Sequence, residues 1–160
     1  MAAWNPMDTT TPMDYFRSLV ASDAQFPLLE AAASLAQVQL PQTDVQSVLA
    51  QVDEWLARLR RRVSKDTDPI AKLRLVNRFF FEELGFAGNV NDYYAPENSF
   101  IHCVIESRRG IPISLAVLWL EMAQGLGLNA QGVGFPGHFL VKVNLPEPHV
   151  GVIVLDPFTG

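Results

Sequence analysis

Three residues near the end of the chain carry a nucleophile, a base and an orienting carboxylate in that order: Ser114, His138 and Asp156. Ser114 follows Pro112 at the start of a run, Pro112 to Leu126, in which the only other polar side chains are Glu121 and Gln124. A helix apolar nearly all round is a buried one. Proline suits its first position, because that N–H has no intrahelical partner. Ser114 therefore stands in a first turn beside free main-chain amides, Ile113 among them, and such amides are suited to hold an oxyanion. A serine hydroxyl stays protonated unless a base takes its proton, so acyl transfer on an amide or ester requires His138 to touch it. His138 follows Pro136 and Gly137, where backbone can approach closely, and it opens a β-rich run. Asp156 ends an apolar run, where a lone carboxylate is costly to bury; His138 is the partner it calls for. Each residue also has a plain structural use. Serine satisfies amides at helix starts, and a buried histidine serves as a hydrogen-bonded core residue.

Other groups compete for the site. Cys103, the single thiol, lies between apolar neighbours in FIHCVIE and reads as a small buried hydrophobe rather than a second nucleophile. Asn98 offers a side-chain amide to an oxyanion, or opens the helix that follows it. His102, His149 and Cys103 lack the spacing of a metal site, so neither metal nor cofactor is expected. Arg108 and Arg109 read as solvated surface beside the site.

The elements that must position these groups follow from pattern. Residues 1–12 are polar and proline-containing and read as a flexible arm. Met13 to Ala21 and Pro27 to Gln37 predict two short helices. Asp44 caps a third, with apolar residues at three-and-four spacing from Val45 to Val63. Asp68-Pro69 starts a fourth that stops at Gly85; GNVNDYYAPEN is a loop, and Ser99 caps a short helix ending at Ser107. After Gly127 the period changes to strands over Ala130–Phe135, His138–Leu145 and Val150–Asp156. Helices first and strands last, with short strand connections, predict an α+β fold with a small antiparallel sheet. At 160 residues the chain holds one domain, 13–160.

Composition narrows the function. A net charge of −5 argues against a nucleic-acid surface, and the cluster Arg58, Arg60, Arg61, Arg62 and Lys65 reads as the solvated end of a helix. Neither a membrane span nor a signal peptide is visible, and one cysteine fits a reducing compartment; the cytoplasm is the expected location. The chain stops four residues after Asp156, which points to a domain cut from a longer protein at its C-terminus.

The segments NSFIHCVIESRRGIPISLAVLWLEMAQGLGL, GVGFPGHFLVKV and LDPF resemble the SirB-type transglutaminase-like family, over about residues 92–158. The resemblance implies a papain-like arrangement in which the central helix packs on the sheet. The wider superfamily has a glycine, one residue and a catalytic cysteine opening that helix, then a histidine starting a strand and an aspartate before proline. Gly110, His138 and Asp156-Pro157 match; the cysteine position falls on Pro112. Ser114 lies two residues on, about 200° around an ideal helix. Two functions follow: a non-catalytic or weakly active protein- or peptide-binding regulatory module, or a Ser-His-Asp hydrolase or acyl transferase acting on an amide or ester. The missing cysteine favours the first, because a fold alone does not carry catalysis.

Overall fold

Capping side chains open three of the helices. In the computed structural model, which describes residues 10–160, Thr11 accepts the Asp14 amide and starts α1 (Pro12–Leu19). Asp44 accepts the Ser47 amide at 3.1 Å to start α3 (Val45–Arg60). Asp68 accepts those of Ile70 and Ala71 at the start of α4 (Pro69–Asn77). Between the first two, α2 (Leu28–Gln39) begins behind Pro27. The arm expected over 1–12 lies outside the described residues except at its end, where Thr11 and Pro12 belong to the α1 start.

Downstream the structure departs from the periodic reading in three places. The fourth helix does not run regularly to Gly85: after Asn77 it widens into a π-helical turn over Arg78–Glu83, closed by Leu84 N–H donating to Phe79 C=O at 2.8 Å. The extra residue in that turn lets the adjacent Phe79 and Phe80 both reach the core, which an apolar stripe at strict helical spacing does not anticipate. Ser99 does not cap the next helix, because it ends a 3-10 turn (Pro96–Ser99); α5 (Ile101–Ser107) opens at Phe100 without a side-chain cap. Two-residue strands β1 (Ala87–Gly88) and β2 (Arg109–Gly110) pair in parallel, a contact too short for any pattern to signal.

The centre of the core is α6 (Pro112–Gly125). Leu115, Ala116, Leu118, Trp119, Met122 and Ala123 on it have no exposed surface, as its composition predicts. Trp119 keeps its indole N–H paired by donating to Asn77 Oδ1 at 3.0 Å. Against α6 packs an antiparallel sheet of β3 (Asn129–Phe135), β4 (His138–Leu145) and β5 (Gly151–Leu155), in that spatial order. Ala130, Val141 and Val143 face inward. The helices and this late sheet make the α+β fold. The arginines at the end of α3 are structural: Arg62 forms a two-pronged pair with Glu83, Arg60 Nε donates to Gly125 C=O, and Arg58 and Arg62 lie over the Phe79 ring. Among the described residues no helix is long and apolar enough to cross a membrane.

One carboxylate on α6 opposes folding. Burial, and then repulsion from Asp53, push the Glu121 carboxyl above its ordinary range. An acid whose folded pKa is raised is penalised wherever it is ionised, so the loss grows as pH rises above the ordinary glutamate range and vanishes below it. Glu121→Gln should therefore raise the melting temperature at pH 7, with the gain shrinking toward zero when the melts are repeated below pH 4.

Candidate functional site

The pleat and the register bring His138 and Asp156 together. Val141 pairs with Leu155, so Asp156, one residue on, comes opposite Leu140, which shares a sheet face with His138. His138 Nε2 lies 2.6 Å from Asp156 Oδ2. A carboxylate at that distance holds the imidazole proton on Nε2 and leaves the Nδ1 lone pair free. The second oxygen of Asp156 accepts the Phe158 amide at 2.9 Å. Burial pushes the Asp156 carboxyl up, but the hydrogen bonds from His138 and then from the Phe158 N–H outweigh it and hold it below the usual carboxylate range.

His138 is carried to this position by a tight turn. Phe135 pairs with His138, leaving Pro136 and Gly137 as the two turn residues, and Gly137 has φ +71°, which glycine adopts freely. His138 is one wall of a groove of about 220 Å³, with Tyr93, Ile111, Pro112, Ile113, Gly137 and Phe139. The start of α6 thus closes one side, at Pro112 and Ile113. Ile113 is the second helical residue, so its N–H has no intrahelical acceptor. Ile113 is 50% exposed and Phe135 beside the turn 62%, which makes the rim apolar. A larger hollow of about 570 Å³ lies between Arg74, Arg78, Phe81 and Phe158 and contains none of Ser114, His138 or Asp156.

Ser114 is placed elsewhere. It is 3% exposed, and its hydroxyl donates to the Asn98 carbonyl at 2.6 Å while accepting the Ile111 N–H at 3.1 Å. A longer contact reaches the Ile111 carbonyl at 3.2 Å, but the one hydroxyl proton goes to the nearer acceptor. No hydrogen bond joins it to His138. Gly110 makes room for this arrangement: a Cβ there would stand 2.7 Å from Ser114 Oγ and 3.1 Å from Val104.

Asn98 is equally committed. Its side chain donates to the carbonyls of Asp92 at 2.7 Å and Tyr93 at 2.9 Å, and accepts from Asn89 Nδ2 at 2.9 Å. No donor remains for an oxyanion. What the amide does is close the loop 89–98 and so hold Tyr93 in the groove wall. Cys103 is half-buried, contacts His102 Nε2 at 3.3 Å, and has its thiol pKa raised by burial, Glu97 and Glu106. Sequence reasoning missed Tyr93 and Phe139 as walls; the paired asparagines bracketing the loop were the available signal for the first.

A profile described as the transglutaminase-like superfamily matches residues 46–160. A UPF0162 protein of Xylella fastidiosa (strain Temecula1 / ATCC 700964) is 39% identical over 138 residues, which is 86% of this chain and 48% of that protein. A UPF0162 protein of Vibrio cholerae is 31% identical over 133 residues, 83% of this chain and 48% of its own length. F-box only protein 21 of Mus musculus is 41% identical over 70 residues, 44% of this chain and 11% of its own. The chain spans about half the length of the bacterial relatives it matches. No solved structure matches.

Proposed function

The chain belongs to the transglutaminase-like superfamily, and from that premise we propose that it is a SirB-type, papain-like member whose groove captures a protein or peptide without bonding to it covalently. The observation that carries this reading is the direction of the Ser114 hydroxyl: its proton goes to Asn98 C=O and its lone pair receives the Ile111 N–H, while Pro112 and Ile113, not Ser114, line the groove with His138. Neither of those two side chains is a nucleophile. For the alternative, a Ser-His-Asp hydrolase, Ser114 would have to release both bonds and turn toward Nδ1, leaving two main-chain groups unpaired.

What remains is a recognition surface. Apolar walls from Tyr93, Ile111, Ile113 and Phe139 suit an apolar side chain, and the Ile113 amide at the start of α6 suits an acidic or C-terminal carboxylate beside it. The low Asp156 pKa keeps that carboxylate ionised as the fixed acceptor of the His138 Nε2–H. The test is selection of a random peptide library displayed with free C-termini, followed by titration of the recovered peptides. Binding should weaken about tenfold or more in His138→Ala and in Ile113→Asp. Peptides that bind both variants as tightly as the parent would place recognition elsewhere.

A further inference from the structure

The turn after Asp156 ties three parts of the molecule together. Asp156 Oδ2 meets His138 while Oδ1 accepts the Phe158 N–H. The Phe158 carbonyl accepts the Gly88 N–H at 3.3 Å, and its ring lies so close to Gly88 that a Cβ there would stand 2.5, 2.6 and 2.7 Å from three ring carbons. The same ring meets Tyr93 edge-on, with centroids 5.8 Å apart and planes at 70°. Gly88 is paired with Gly110, two residues before α6, and Tyr93 is a wall of the groove.

We propose that Phe158 is a positioning residue: its ring, seated on the bare backbone of Gly88, holds the Asp156 carboxylate against His138 and thereby fixes which imidazole nitrogen carries the proton. An amide donor alone could come from any residue but proline. The side chain adds a fixed seat. Without it the turn after β5 is held to β1 only by the 3.3 Å bond from Gly88 N–H to the Phe158 carbonyl, and the carboxylate regains rotamer freedom that the short bond to Nε2 excludes. Gly88 is the complement of this contact, since any side chain there expels the ring. The inference concerns the His138–Asp156 pair and is independent of what the groove binds.

The test reads the tautomer directly. In uniformly ¹⁵N-labelled protein, at a pH above the imidazole titration range, long-range ¹H–¹⁵N correlation should show His138 with its proton on Nε2 alone. Phe158→Ala and Gly88→Ala should each shift both ring nitrogens toward averaged values, with the signals of His102 and His149 unmoved and a cooperative thermal melt retained. A folded Phe158→Ala or Gly88→Ala protein that keeps the single Nε2–H tautomer overturns the proposal. Unfolding of both variants overturns it as well, because Phe158 would then be a general core element whose loss is not specific to the pair.

Discussion

Replacing Trp119 by Ala is expected to lower the unfolding free energy by about 3–5 kcal/mol, the range for truncating a buried aromatic. Trp119 is fully buried in the middle of α6 and is, among the described residues, one of two tryptophans in the core, with Trp55. Its neighbours come from several elements, so the void is bounded by helices that collapse only in part. The indole also supplies the partner of Asn77 Oδ1, at the point where α4 turns into the π-helical segment. Losing that donor leaves a half-buried acceptor to find water. Chemical denaturation of the variant should show a lower midpoint with an unchanged slope. A shift below about 1 kcal/mol would mean that α6 is not the centre of the core.

Ser114→Ala is expected to cost about 2–3 kcal/mol, more than the 0.5–2 kcal/mol of an ordinary capping serine. The reason is that the hydroxyl serves two main-chain groups at once. Its removal leaves the Asn98 carbonyl without its donor and the Ile111 N–H without its acceptor, at a position that is 3% exposed. Because Asn98 also closes the loop that carries Tyr93, the same change should weaken peptide capture indirectly. Denaturant titration checks the first effect. A cost near zero would show that the hydroxyl is free to point elsewhere.

Much of this arrangement was legible in the residues. The apolar run after Pro112 announced a buried helix, and the change of period after Gly127 announced the strands. The 18-residue spacing of His138 and Asp156 around a turn-rich segment suits strands that return side by side. The direction of Ser114 was not legible. Its two roles, nucleophile and first-turn cap, use the same residue type at the same position, and the choice is made by the Asn98 carbonyl sixteen residues earlier and by the space over Gly110. Nor was the Asn98 side chain legible as a loop clasp, because its partners Asn89, Asp92 and Tyr93 lie in a stretch without periodicity. The seat of Phe158 on Gly88 joins residues 70 positions apart, a distance over which local pattern carries no information.

The claim that the groove lacks a nucleophile is tested most directly by covalent labelling. The protein should be treated with a fluorophosphonate, which reports activated serines, and separately with an iodoacetamide at neutral pH, and the products read by intact mass and peptide mapping. No fluorophosphonate adduct is expected at Ser114, whose hydroxyl is held by Asn98 and Ile111. Only slow alkylation is expected at Cys103, where burial and two glutamates keep the thiol protonated. Stoichiometric modification of Ser114 that disappears in His138→Ala would contradict the account and establish a Ser-His-Asp hydrolase in its place.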